Sequence, residues 1–263
     1  MPELPEVNAY KVYFNEAAFN QKIERVIVHD DKIIRNMDGN TFAEACKNRT
    51  FVGSYRRGKY LFGEFDNGDH VLLHFGMTGD IKYYSAPEDK PKHERFVFVF
   101  ENGMRLGFDD PRKFGRILYL TDLQAYIKEI KLGEDALVLS EDAFMRLIKG
   151  KKASIKGFLL NQKFLAGVGN LYADETCYQL QIHPATPSNQ LTEEQQRAVF
   201  RKMQEIMGFA AEQLPNYKGY PPNWFWNLWR EVGKEIEGKG TVVSCKVAGR
   251  TTMFVEGWQV LPT

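Results

Sequence analysis

Between residues 20 and 120 the chain is a succession of short apolar runs cut by turn signals, and no other feature narrows the fold as much. The runs cover 23–29, 50–55, 60–65, 70–74, 96–100, 104–108 and 115–119. Asn67-Gly68-Asp69 and Asn102-Gly103 separate two pairs of them with the residues that tight hairpins require. Strand follows strand with no helical period between them. This predicts an antiparallel β-sandwich or barrel rather than an alternating βα fold. Ahead of the strands, Val7, Tyr10, Phe14 and Ala17 recur at helical spacing and predict an amphipathic helix over 6–19.

After a polar connection over 121–134 the period changes. Ser140 reads as the N-cap of a helix whose apolar face uses Phe144, Leu147 and Ile148. Helical segments over 154–162 and 171–181 flank Ala166-Gly167-Val168-Gly169-Asn170. There the glycines permit close backbone approach, and the start of the second helix suits an anion. A long helix over 192–213 turns Val199, Met203, Ile206 and Ala210 inward. The chain closes in alternating strands around Ala248-Gly249-Arg250-Thr251, a hairpin expected to pack through Val243, Phe254 and Trp258. The fold class is α+β in three parts. Residues 1–125 form an N-terminal helix with a β-sandwich, 126–230 a mostly helical domain, and 231–263 a β-hairpin.

Chemistry concentrates at the first residues, Met1-Pro2-Glu3-Leu4-Pro5-Glu6-Val7. Removal of Met1 leaves a secondary amine on Pro2, and an unprotonated amine attacks electrophilic carbon and forms imines with aldehydes. A terminal amine titrates at about 7.7–8.0, so little tuning is needed. Glu3 could move a proton beside it. The same residues could also do no more than stiffen an arm ahead of the helix, with Glu6 favouring the helix dipole. A net charge of +1 is low for a nucleic-acid binder, so the cations must cluster. Arg56-Arg57-Gly58-Lys59 at one turn does so, and so does the acid-free stretch holding Lys149, Lys151, Lys152, Lys156 and Lys163. Such a stretch tracks phosphates or is simply solvated. No apolar run reaches the roughly 18 residues of a membrane span, and no signal-peptide pattern opens the chain. The expected location is cytoplasmic or nucleoid-associated, or nuclear in a eukaryote. Three separated cysteines, Cys46, Cys177 and Cys245, make neither a disulfide framework nor a zinc cluster.

These strings together resemble the formamidopyrimidine-DNA glycosylase / endonuclease VIII family of base-excision repair enzymes. Pro2–Val7 looks like its N-terminal signature, and the stretch from Asn161-Gln162 to Glu175 resembles its helix–two-turn–helix element. The resemblance implies a bifunctional glycosylase and AP lyase acting on oxidised bases in double-stranded DNA as a monomer. It implies catalytic roles for Pro2, Glu3 and Lys59, with Glu6 and Glu175 in support, and phosphate contacts from Lys59, Asn170 and Arg250. Met77, Arg112 and Phe114, at two glycine-flanked tips, match residues that fill the space left by an everted nucleotide. Family members commonly end in a four-cysteine zinc finger. This hairpin holds only Cys245, so a zinc-less finger with no metal and no cofactor is expected. The other departure is Tyr217–Trp229, where Trp224, Trp226 and Trp229 could stack on a flipped base or form core. A binding module that kept the fold without the chemistry is the alternative reading, and an N-terminal-proline tautomerase a remote one.

Overall fold

In the computed structural model, which describes residues 2–213, 217–228 and 231–262, contacts divide the chain into two units, Met1–Lys131 and Leu132–Thr263. The first begins with α1 (Leu4–Ala18). Pro5 falls in its first turn, where a missing N–H costs nothing. Then follow β1 (Ile23–Val28), α2 (Gly39–Cys46), β2 (Phe51–Arg57), β3 (Tyr60–Phe65), β4 (His70–His74), β5 (Asp80–Tyr84), β6 (Glu94–Phe100), β7 (Arg105–Asp109), β8 (Arg116–Leu120) and α3 (Leu123–Glu129).

The strands make two four-stranded antiparallel sheets, ordered β1-β6-β7-β5 and β2-β3-β4-β8. One apolar core joins them. It takes Phe96, Phe98, Phe100 and Phe108 from the first sheet, Phe51, Leu61, Phe65 and Leu73 from the second, and Val7, Phe14 and Ala17 from α1. Edge-on ring contacts such as Phe51–Phe98, centroids 5.3 Å apart, bridge the two layers. The sandwich expected for this region is therefore present. Strand β5 and helices α2 and α3 add to the expected elements.

The second unit contains β9 (Glu134–Asp135), α4 (Glu141–Ile148), α5 (Ile155–Leu159), β10 (Leu165–Ala166), α6 (Asn170–Gln179) and α7 (Glu193–Glu212), then β11 (Glu235–Ile236), β12 (Gly240–Val247) and β13 (Arg250–Glu256). Ser140 caps α4 by accepting from the Ala143 amide. Ser154 caps α5, and Thr192 caps α7. Val199, Met203, Ile206 and Ala210 line the buried side of α7 as expected. Gln162 staples the glycine turn, donating to the Val168 carbonyl at 2.8 Å and accepting from the Gly167 amide at 2.9 Å.

The final hairpin pairs Val247 with Arg250, so its turn is the two residues Ala248 and Gly249, both at positive φ. Its buried face differs from the expected one by a single step. Val242, Met253 and Val255 pack with Tyr178 and Phe225, and Trp258 lies against that cluster. Val243 and Phe254 face the other way, Phe254 meeting the His183 ring edge-on at 4.4 Å. A one-residue offset exchanges the two faces of a strand.

Candidate active site and nucleic-acid interface

Pro2 stands half-buried directly before α1. Glu3 occupies the N-cap position and is only 4% exposed. Its backbone amide donates to Glu6 Oε2 at 2.8 Å, which fixes the residue next to the proline. Glu6 therefore anchors this turn through a hydrogen bond as well as suiting the dipole. At the far end of the β2–β3 hairpin Arg57 pairs with Tyr60, and Gly58 takes φ +57° between them. Lys59 follows it and is largely buried. Arg56 turns back to support this tip, donating to the Gly58 carbonyl at 3.2 Å. Its cation thus does structural duty at the turn. His74 ends the neighbouring strand. Burial, then the charges of Arg116 and Lys59, pull its pKa down from 6.5 to about 3, so the ring is neutral.

The two glycine-flanked tips are one structure. Gly76 takes φ +58°, and a Cβ there would lie 2.4 Å from the Phe114 backbone. Only glycine lets the Met77 tip press so closely on the Phe114 tip. Asp110, wholly buried, clasps both. Its carboxylate accepts from the Thr78 hydroxyl at 2.7 Å, the Arg112 amide at 3.3 Å and the Gly115 amide at 2.7 Å. Arg95 holds the same loop from outside by donating to the Asp110 and Pro111 carbonyls. Met77 and Phe114 project from this clasp, 44% and 47% exposed. The Arg112 guanidinium lies 4.7 Å from the centre of the Phe114 ring. Two exposed apolar side chains on a rigid base make a wedge suited to a gap in stacked bases.

In the second unit, α6 begins after Gly169, whose lack of a side chain leaves the helix without a side-chain cap. Asn170, its first residue, donates to the Thr251 carbonyl at 2.9 Å and so touches the hairpin beside Arg250. Arg250 is exposed. Glu175 is 2% exposed and holds the tryptophan segment. It accepts from the Phe225 amide at 3.1 Å, the Trp226 amide at 2.8 Å and the Gln179 side chain at 2.7 Å. Burial raises its pKa. Trp224 is core, its ring 5.3 Å from Phe209 and 5.0 Å from Tyr220. Trp226 stacks on Tyr217 at 4.5 Å, and Trp229 lies outside the described residues.

Lys156 overturns part of the expected basic patch. It is completely buried, its Nζ 2.6 Å from Asp174 Oδ1 and 2.7 Å from the Thr252 hydroxyl. An ammonium taken out of water needs such a partner, and no phosphate reaches it there.

Residues 1–117 match the formamidopyrimidine-DNA glycosylase N-terminal domain, and residues 132–215 match the formamidopyrimidine-DNA glycosylase H2TH domain. The formamidopyrimidine-DNA glycosylase of Arabidopsis thaliana is 32% identical over 278 residues, covering 99% of this chain and 71% of that protein. The chain belongs to the formamidopyrimidine-DNA glycosylase family. Its counterpart in Mycoplasma mobile is 31% identical over 275 residues, covering 99% of this chain and 100% of that one. Among solved structures, Lactococcus lactis formamidopyrimidine-DNA glycosylase bound non-covalently to DNA containing an AP site superposes with a TM-score of 0.88. It is 25% identical and covers 98% of this chain and 99% of its own. The same enzyme with DNA carrying an N7-benzyl-Fapy-dG gives 0.87.

The strings that carry the family resemblance are held in place by groups whose holding roles for the most part do not show in the sequence. Asp110, Thr78, Arg95 and Gln162 each act on a site segment. Of these, Asp110 carried a signal, since an aspartate before Pro-Arg is suited to accept from its own turn.

Proposed function

We propose that this protein is a DNA glycosylase with AP lyase activity that excises an oxidised base from double-stranded DNA. The observation that carries the reading is the Pro2-Glu3 pair, locked at the start of α1 by Glu6, in a chain that matches its relatives almost end to end. With Met1 removed, the Pro2 nitrogen attacks C1′ of the everted nucleotide. The C1′–N bond breaks and the base leaves, with Glu3 supplying or relaying the proton. The sugar opens to an iminium on Pro2. Loss of the C2′ proton then expels the 3′ phosphate, and a second elimination expels the 5′ phosphate. Water finally releases the amine.

Lys59, Asn170 and Arg250 take backbone phosphates, and Met77, Arg112 and Phe114 occupy the gap in the stack. The exposure of Met77 and Phe114 on a rigid clasp supports the wedge role. Glu175 supports the reading indirectly, by ordering Phe225 and Trp226. The scheme is written without a metal, because the hairpin offers Cys245 alone where a four-cysteine zinc site needs four thiolates. Among the described residues no helix is long and apolar enough to cross a membrane.

A panel of duplexes carrying 8-oxoguanine, formamidopyrimidine, an oxidised pyrimidine or an abasic site tests the function. Incision that leaves phosphates on both ends of a one-nucleotide gap is expected for at least one base lesion. Binding to every lesion with incision of none would instead make the protein a damage-binding module.

A further inference from the structure

Lys156 looked like part of a phosphate-binding stretch, yet its ammonium is sealed inside the second unit. What it does there can be followed atom by atom. Nζ lies 2.6 Å from Asp174 Oδ1, which supplies the compensating charge. Nζ also donates to the Thr252 hydroxyl at 2.7 Å. That hydroxyl has its own proton to give, and it donates to the backbone carbonyl of Arg250 at 3.2 Å. One residue further on, the Met253 amide donates to Asp174 Oδ2 at 3.2 Å.

Around this chain the hairpin turn is held at two more points. Asn170 donates to the Thr251 carbonyl. On α5, a Cβ built on Gly157 would sit 3.1 Å from the Ala248 Cβ, so the helix backbone and the turn are in close contact. Backbone groups or side chains of residues 248, 250, 251, 252 and 253 are therefore in touch with α5 or α6 or with a group they hold. The hairpin tip has no metal ligand set to fix it, and a buried ion pair reaches the carbonyl of the residue that carries the exposed cation.

We infer that Lys156, with Asp174, is a positioning residue that acts through Thr252 to hold Arg250 in place for a DNA phosphate. The inference rests on the proposed phosphate role of Arg250, but not on any chemistry at Pro2. Buried ion pairs often contribute little net stability, and in some proteins they are retained because they specify a geometry. A buried ammonium in low dielectric also strengthens the polarised Thr252 hydroxyl as a donor to Arg250.

The test is a set of coupling cycles read by fluorescence anisotropy, using a duplex with a tetrahydrofuran abasic analogue and the full-length protein. Lys156→Met alone strands a buried carboxylate and can fail to fold. The cycles therefore use the neutral pair Lys156→Met/Asp174→Asn, and separately Thr252→Val, which leaves the ion pair intact. Each is combined with Arg250→Ala. A lost phosphate contact lowers the slope of log affinity against log salt by about 0.9. Thr252→Val removes no charge, yet it is expected to weaken binding several-fold and to lower that slope toward the Arg250→Ala value. With Arg250 already Ala, neither Thr252→Val nor the neutral pair should cost further affinity.

Losses that add to that of Arg250→Ala, or Thr252→Val with wild-type affinity and slope, would overturn the inference. Absence of any wild-type binding to the duplex would overturn it too. A wild-type protein that binds and shows the coupling but incises nothing would sink the glycosylase reading and leave this one standing.

Discussion

At the scale of single residues, the groups proposed to meet DNA sit in short local strings, and that is why they can be read from the chain. Pro2-Glu3, Gly58-Lys59 and Gly169-Asn170 each carry their own backbone signal beside the functional side chain. The groups that hold these strings are harder to read, because their partners lie far along the chain. Asp110 reaches Thr78 across 32 positions, and Lys156 reaches Thr252 across 96. Nothing in a lysine-rich stretch marks the one lysine that turns inward. His74 offers a prediction at this scale. Its folded pKa of about 3 lies below the 6.5 of a free imidazole, so below pH 6.5 the unfolded chain takes up a proton that the folded chain refuses. The contribution is full above pH 6.5 and is lost as pH falls toward 3, by up to about 1.4 kcal/mol per pH unit. His74→Asn keeps an acceptor for the Gly76 amide, which donates to Nδ1 at 3.2 Å. Urea unfolding at a series of pH values should show the wild type losing stability faster than this variant on the acid side. Equal slopes would contradict the neutral ring.

At the scale of elements, the two tips behave as one piece, and two substitutions separate its parts. Asp110→Ala leaves the Thr78 hydroxyl and the Arg112 and Gly115 amides without their acceptor. Each buried group stranded in this way costs about 1–3 kcal/mol. A loss on the order of 3 kcal/mol in chemical unfolding is expected, together with failure of base excision. Phe114→Ala removes an exposed ring, so stability should change by less than about 0.5 kcal/mol. Excision of a base from duplex DNA should nevertheless fall at least tenfold in single-turnover assays. Equal destabilisation by both variants would deny the separation of clasp from wedge. Legibility at this scale followed exposure. The buried strands announced themselves through aromatic and β-branched runs, as in Glu94–Phe100. Strand β5 stands at a sheet edge, with Lys82 exposed and the Tyr83 amide donating to the Tyr13 hydroxyl at 2.8 Å instead of to another strand. It lacks the long apolar run that marks an inner strand. Helix α3 is capped by Asp122 and buries only Ile127, so its sequence looks like a polar connection.

At the scale of the whole molecule, two units with separate cores carry different parts of the proposed task. The sandwich unit holds Pro2, Glu3, Lys59 and the wedge, and the helical unit holds Asn170 and Arg250. A net charge of +1 shows that overall charge is a poor guide when a few placed cations suffice. The absence of a four-cysteine set was legible at once. The packing that serves the hairpin instead was not, because Tyr178, Phe225 and Val242 come together only in the fold. If that packing and the Lys156–Asp174 pair hold the hairpin, dialysis against a strong zinc chelator should leave incision activity and melting temperature unchanged. A melting temperature several degrees lower after chelation would show that a metal stabilises this chain.

The glycosylase and lyase activities proposed for this protein turn on covalent chemistry at the second residue. Purified protein incubated with an abasic-site duplex and sodium borohydride, then digested for peptide mass mapping, tests it most directly. One reduced sugar–DNA adduct is expected, on the nitrogen of an N-terminal Pro2, and none in a sample that retains Met1. An adduct on a lysine, or no adduct from protein whose mature terminus is Pro2, would contradict it.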